Sequence, residues 1–378
     1  MKVLMLSVDG KIFEENSAVR QRMAEYSSLV DELHIVVFTR RNFQFPISNF
    51  QTSAKLQIAK NVFAYPTNTK FKPLYFFDAY KICKSIIENL KLKIENCIIT
   101  TQDPFETGLV GYWLKKKFKI PLQIQIHTDF LSPYFWRESL KNKLRVLLAK
   151  RLIKKADCLR VVSERIKESL ESRIKNKESR ITVLPIFVDV EKIRNAPVRN
   201  DLHKKYPNHD FIILMASRLT KEKNIDLAIG AFARIKNQGS GIMAPLLLIV
   251  GNGPERENLE SRIKNYELGD SIRIESWTDD LISYYKTADL FLSTSNYEGY
   301  GMGVVEAATA GLPVIMTDVG VAIGKTVPVG DRKALSYTIA EMIKNPDQRA
   351  KVINTQEKFF QSWPTKQEYL DRIKISWQ

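Results

Sequence analysis

The chain has 378 residues, 44% of them hydrophobic and 26% charged, and carries a formal net charge of +16. That apolar content excludes a disordered chain, and the length points to two domains, each able to bury a core. No uncharged apolar run reaches the roughly 18 residues that a membrane span needs.

The opening, MKVLMLSVDGK, has a short apolar stretch that meets Asp9 at once. It reads as a first buried strand rather than as a secretory leader. Short apolar runs then alternate with amphipathic stretches. Strands are predicted over 2–7, 33–38, 61–65, 97–101, 122–126, 158–163 and 181–184, with helices over 16–30, 75–90, 104–117 and 139–155. A polar stretch, EKIRNAPVRNDLHKKYPNHD, follows. The alternation then restarts, with strands over 211–216, 246–250, 272–274, 290–293 and 313–316. Helices are predicted over 224–237, 254–266, 278–287 and 303–310, and from about 332 to the end. Near-continuous apolar strands between helices imply parallel sheets covered on both faces, an α/β architecture. The polar break divides it into 1–195 and 196–360, with 361–378 as a C-terminal helix that packs back on the first domain. A cleft between the domains is expected. In such sheets ligands sit beyond the carboxyl ends of the strands.

Charge is unevenly spread. Residues 1–195 hold 35 Lys/Arg against 20 Asp/Glu (+15), and residues 196–378 hold 23 against 22 (+1). The first half therefore faces something anionic: nucleic acid, a membrane surface or a phosphate-bearing substrate. Residues 139–156, SLKNKLRVLLAKRLIKKA, contain seven Lys/Arg and no acid. Leu140, Leu144, Leu147 or Leu148, and Leu152 recur at helical spacing. Two readings stand: leucines packed on the sheet with cations in solvent, or a basic amphipathic helix lying on an anionic membrane. Cys83, Cys97 and Cys158 are odd in number, far apart and without CxxC spacing, which argues for a reducing, cytoplasmic compartment. His34, His127, His203 and His209 form no ligand-spaced pair, so no built-in metal site is expected.

The most informative segment is NYEGYGMGVVEAATAGLPVIMT, from Asn296 to Thr317. It follows the apolar run LFLS and sets Glu298 and Glu306 eight residues apart, with Gly299, Gly301 and Gly303 between them. A strand, a glycine-rich loop and a helix start let backbone N–H groups approach an anion. Carboxylates on either side suit vicinal hydroxyls, so a sugar, a diphosphate and a ribose would fit. A tight strand-to-helix turn with glycines kept for packing accounts for the same residues. In ASRLTKEKN, Arg218 and Lys223 stand just past a buried strand, where two cations could clamp a diphosphate. The pair is equally that of an exposed loop. LLLIVGNGPE places Gly251, Asn252 and Gly253 at another strand-to-helix turn, without the third glycine of a dinucleotide fingerprint.

Together these segments resemble the large family of retaining nucleotide-sugar glycosyltransferases with the GT-B fold, the glycosyl transferases of group 1. The resemblance covers most of the chain and is strongest from about 211 to 317. The family's paired glutamates match Glu298-GYGMGVV-Glu306, its Arg and downstream Lys match Arg218 and Lys223, and its glycine turn matches GNGP. The resemblance implies two Rossmann-like, doubly wound parallel-sheet domains facing a central cleft. By it, Glu298 contacts donor-sugar hydroxyls and Glu306 the ribose. Gly299, Tyr300, Gly301, Met302 and Gly303 line the sugar and phosphates, while Arg218 and Lys223 neutralise the diphosphate. Ser276 and Trp277 lie near the nucleobase, with Gly251 and Asn252 beside them. His127, at the end of LQIQIH, occupies a position where the family carries a histidine facing the donor sugar; it is not assigned as a base. The aromatic stretch of Phe130, Tyr134, Phe135 and Trp136 is open between sugar stacking and core. The first loop, DGKIFEENSAVRQRM, keeps Gly10 but has Asn16 and Ser17 where the family commonly has glycines.

The implied reaction moves a glycosyl unit from a UDP- or GDP-linked sugar to an acceptor hydroxyl with retention, in polysaccharide or glycolipid assembly. No cofactor or metal is expected beyond the nucleotide sugar. Asp279-Asp280 reads as a helix cap rather than as a metal motif. The expected partners are the nucleotide sugar, a sugar or lipid-linked acceptor and an anionic membrane surface on its inner face. Nucleic acid is not among them: a nucleic-acid-binding protein is favoured only by charge. A GT-B-fold sugar-nucleotide epimerase is the other alternative, and a phosphorylase would need a pyridoxal-binding lysine context that is not found.

Overall fold

The structure is a computed structural model that describes residues 1–40, 55–71, 74–92, 94–174, 180–237 and 245–378. The chain divides into two compact units, Met1–Pro185 with Thr365–Gln378, and Ile186–Pro364. The boundary thus falls ten residues before the expected 195. The short helix Val190–Asn195 belongs to the second unit, where the Arg194 guanidinium donates to both carboxylate oxygens of Glu357.

The first unit holds an eight-stranded sheet. Its strands are β1 (Lys2–Ser7), β2 (Glu32–Val37), β3 (Leu56–Ala59), β4 (Val62–Pro66), β5 (Cys97–Thr101), β6 (Leu122–Ile126), β7 (Cys158–Val161) and β8 (Arg180–Val183). They lie in the order β3-β4-β2-β1-β5-β6-β7-β8, all parallel except the edge pair β3–β4. Strands such as β5 and β6 are buried at every residue, because helices cover both sheet faces. The predicted helix 16–30 is shorter here, α1 (Ala18–Glu25), and Ser17 is its N-cap, accepting from the Arg20 N–H. Ser17 therefore starts a helix where the resembled family has glycine. Asp9 caps the single turn Gly10–Phe13 in the same way.

α3 (Glu106–Phe118) and α5 (Leu140–Ile153) match the predicted helices closely, with α4 (Pro133–Glu138) between them. On α5 the predicted leucine stripe divides. Leu152 is buried, but Leu140, Leu144 and Leu147 are 76%, 69% and 45% exposed. The face packed inward carries Asn142, Val146, Ala149, Leu152 and Ile153 instead. Cys83, Cys97 and Cys158 are buried free thiols. No helix among the described residues is long and apolar enough to cross a membrane.

The second unit holds a six-stranded parallel sheet in the order β11-β10-β9-β12-β13-β14. Its strands are β9 (Ile212–Ala216), β10 (Leu246–Val250), β11 (Ile272–Glu275), β12 (Leu290–Ser293), β13 (Val314–Thr317) and β14 (Lys325–Val327). Apolar side chains from these strands meet Leu227, Phe232, Leu335 and Ile339 of the covering helices in one core. The strand order reverses between β9 and β12, which pair in parallel. In such sheets ligands bind beyond the carboxyl ends of the strands at this reversal of order.

Candidate active site

Both loops at the reversal point carry the predicted residues. After β9 the chain runs through Arg218 to the turn Lys221–Lys223, and Asn224 closes that turn with φ +46°. After β12 it runs through Thr294–Gly301 into α12 (Met302–Thr309). Hydrogen bonds join the two loops. The Thr294 hydroxyl donates to the Lys223 and Asn224 carbonyls, each at 3.0 Å, and the Asn296 N–H donates to the Glu222 carbonyl at 2.8 Å. The Asn224 side-chain amide donates to the Asn296 side-chain oxygen at 3.0 Å.

This fastening sets Lys223 on Glu298. The Lys223 ammonium and the Ser295 hydroxyl, at 2.7 Å, both donate to Oε1 of Glu298. Lys223 and Glu298 are largely buried, at 16% and 17% exposure. Glu222 sits 3.7 Å from Lys223 and also accepts from Arg218. Arg218, Glu222, Lys223 and Glu298 thus form one chain of alternating charge. Arg218 reaches outward at its end, 71% exposed. The exposed-loop account of Arg218 and Lys223 therefore fits Arg218 but not Lys223.

Gly301 caps α12 with φ +94°, so the backbone of Gly299 to Gly303 turns sharply into the helix. Tyr300 is buried at 3% exposure, and Gly303 packs near the Ala216 carbonyl and the Phe291 ring. Glu306 lies one turn further along α12. Its Oε2 accepts from the Tyr285 hydroxyl at 3.2 Å. Burial raises the Glu306 carboxyl above its ordinary range, against the pull of that hydrogen bond. The two glutamates therefore stand in unlike environments, one fixed by a cation and the other held in a drier wall.

Gly251 and Gly253 have a structural explanation. A Cβ on Gly251 would lie 1.9 Å from the Ser217 carbonyl oxygen, and one on Gly253 would lie 2.3 Å from that of Leu219. The Leu219 N–H donates to the Asn252 carbonyl at 3.0 Å, so the GNGP turn braces the loop bearing Arg218. Ser276 and Trp277 follow β11 on the surface, and the Gly251 N–H donates to the Glu275 carbonyl beside them at 3.0 Å. Asp280 starts α11 (Leu281–Thr287), but its carboxylate takes the Ser283 hydroxyl and the Asn200 side-chain amide rather than a backbone N–H. The capping expected of it is replaced by these side-chain bonds.

Two contributors carry no motif. Gly320, in the loop after β13, has φ +60°, and a Cβ there would meet the Tyr300 carbonyl at 2.6 Å and Cβ of Glu298 at 3.0 Å. Val321 donates its N–H to the same Tyr300 carbonyl at 2.9 Å. Tyr285 is the other, since only the folded chain brings it to Glu306.

Gly10 and His127 belong to the first unit, at the carboxyl ends of β1 and β6. One His127 ring nitrogen pairs with the Gln125 side-chain oxygen at 3.0 Å. Burial, with Arg160 and Arg22 nearby, pushes the His127 pKa down to about 3. The imidazole is therefore neutral at physiological pH. The aromatic stretch behind it divides: Phe130 and Phe135 pack on Phe105 in the core, while Tyr134 and Trp136 are partly exposed.

Comparisons with known proteins show the family and the fold. The family model described as glycosyl transferases group 1 matches residues 198–359, and the one described as glycosyltransferase family 4 matches residues 32–192. The chain belongs to the group 1 glycosyltransferases, and its fold is GT-B. Among curated relatives it is similar to an alpha-monoglucosyldiacylglycerol synthase of Streptococcus pneumoniae, 27% identical over 58% of this chain and 51% of that protein. It is also similar to the UDP-Gal:alpha-D-GlcNAc-diphosphoundecaprenol alpha-1,3-galactosyltransferase of Escherichia coli, 26% identical over 63% of this chain and 62% of that protein. The matched stretches thus span about half to three fifths of these relatives. In fold it resembles the sucrose-phosphate synthase of Thermosynechococcus elongatus, with a TM-score of 0.74, 19% identity and 99% and 97% of the two chains covered. It also resembles Anabaena HepE crystallised with UDP-glucose, with a TM-score of 0.73, 18% identity and 99% of each chain covered.

Proposed function

We propose that the chain transfers a glycosyl unit from a nucleoside diphosphate sugar, UDP- or GDP-linked, to an acceptor hydroxyl with retention of configuration. The observation that carries this is the pairing of Lys223 with Glu298 at one end of a glycine loop whose other end carries Glu306. Lys223 and Ser295 both hold Oε1 of Glu298, so Oε2 serves as acceptor for a sugar hydroxyl. Glu306 takes the ribose hydroxyls, and the backbone N–H groups at the start of α12 face the diphosphate. The anomeric C–O bond to the diphosphate breaks while a bond to the acceptor oxygen forms, and the departing phosphate receives the acceptor proton. Lys223 and Arg218 stabilise the charge that develops on the leaving group. No cofactor beyond the nucleotide sugar enters this reading. Similarity to a diacylglycerol-glucosylating synthase and to a transferase acting on a diphosphoundecaprenol-linked sugar supports a lipid-linked acceptor, in glycolipid or polysaccharide assembly at the inner face of a membrane.

A thermal-shift panel of UDP, GDP, ADP, CMP and NAD tests the proposal, because a ligand that binds the folded state raises its melting temperature. One nucleoside diphosphate should raise it, and Arg218→Ala or Glu306→Ala should remove most of that rise. An unmoved melting temperature across the panel would overturn the assignment.

A further inference from the structure

The exposed leucines of α5 are the strongest feature that the transfer reaction leaves unused. At about 100° per residue, Leu140, Leu144 and Leu147 fall on one narrow stripe. Val146, Ala149 and Ile153, which fasten the helix to its unit, lie on the opposite side. The outer ridge is therefore apolar although it faces solvent, and it runs on to Arg151 one turn beyond Leu147. Lys143, Lys150 and Lys154 flank the stripe on one side and Lys141 on the other. Among the described residues no carboxylate lies within ion-pair reach of Lys143, Lys150, Arg151, Lys154 or Lys155, whereas Arg145, nearer the packed face, is tied to Glu106. The positive field continues onto α3, whose end carries Lys116 and Lys117, with Lys119 just beyond. Lys115 donates to the Lys155 carbonyl at 2.8 Å and so joins the two helix ends. Just before α5, Trp136 and Tyr134 are 37% and 36% exposed.

We infer that this face of α4 and α5 docks the first unit on an anionic lipid bilayer, with the leucine ridge and Trp136 among the upper acyl chains and the flanking lysines at the headgroups. An apolar ridge set between two cationic edges matches the layering of a bilayer interface, where apolar burial and headgroup charge act together. Aliphatic lysine stems lie along the ridge while their ammonium groups remain at the headgroups. A protein partner would need acidic groups on both sides of an apolar groove, and a second copy would set cationic edges against each other, so charge favours the bilayer.

Co-sedimentation of the whole chain with vesicles of phosphatidylglycerol and phosphatidylcholine in equal parts tests this, with pure phosphatidylcholine as control. Binding to the anionic vesicles is expected at low salt and should weaken as salt rises. Leu144→Glu and Leu147→Glu should each cut it by at least about tenfold. Lys150→Gln, Arg151→Gln and Lys154→Gln should each cut it by about fivefold. These side chains are exposed, so the variants should melt like the parent and keep its nucleotide-induced shift. That separates failure of docking from failure of the transferase reading. Absence of binding at low salt, binding indifferent to the leucine changes, or a self-association that Leu144→Glu abolishes would each overturn the inference.

Discussion

Glu306 holds its carboxyl where burial opposes the charged form. Its carboxyl is partly buried on α12, where it accepts a hydrogen bond from Tyr285, and its pKa is raised in the folded chain. The folded state therefore binds that proton more tightly than the unfolded state does. The penalty for burying the charge applies above the folded pKa and fades as pH falls through it. Glu306→Gln should accordingly melt above the parent at neutral pH, and the difference should shrink as the solution is acidified. The same variant should lose most of the nucleoside-diphosphate shift, because a neutral amide accepts ribose hydroxyls less strongly than a carboxylate. Calorimetry across pH checks the first effect, and a variant that melts below the parent at neutral pH would contradict it. The spacing of Glu298 and Glu306 was legible in the sequence. Their unlike environments were not, because Lys223 and Tyr285 lie 75 and 21 residues away and only folding brings them near.

The elements that build the site are two loops and a third that supports them. The turn Lys221–Lys223 and the segment Thr294–Glu298 are fastened together, and the loop after β13 presses Gly320 against Tyr300 and Glu298. Left-handed backbone costs a residue with a Cβ about 1–2 kcal/mol, and at Gly320 a Cβ would also overlap the Tyr300 carbonyl. Gly320→Ala should therefore destabilise the second unit by more than about 1 kcal/mol and weaken nucleotide binding at least tenfold. Titration calorimetry below the melting transition would show it, and an unchanged affinity would mean that this loop does not position Glu298. The long, strongly apolar elements were legible, because their burial on both faces leaves no other arrangement. β3 and β14 were not predicted, at four and three residues and mostly unburied. Such short edge strands are defined by their neighbour in the sheet rather than by a pattern of their own.

At the scale of the molecule, the chain crosses from the first unit to the second and then returns. α15 (Lys366–Ser376), opened by a capping box of Thr365 and Glu368, belongs to the first unit. The Gln123 side-chain amide donates to the Ser376 carbonyl, Trp377 packs edge-on against Tyr26 at 5.7 Å, and Lys366 pairs with Glu25 at 2.7 Å. Tyr369, Leu370, Ile373 and Trp377 are buried there. Each large apolar side chain of this kind contributes about 1.5–3 kcal/mol, against a total domain stability of about 5–15 kcal/mol. Ending the chain after Pro364 should therefore unfold the first unit or lower its melting temperature by well over ten degrees, with the second unit much less affected. Differential scanning calorimetry would resolve the two transitions, and an unmoved first-unit transition would refute this role for α15.

By itself, the sequence determined the alternation of strand and helix, the two α/β units and the residue types at the ends of β9 and β12. Local apolar pattern and the spacing of glycine, glutamate and cation carry that information within a few dozen residues. Only the tertiary structure decided which partner each charge takes, where the chain passes between units and which side of α5 faces out. Those outcomes depend on packing between segments far apart in the chain. The same leucines at helical spacing serve a core or a surface according to which face the neighbouring strands claim first.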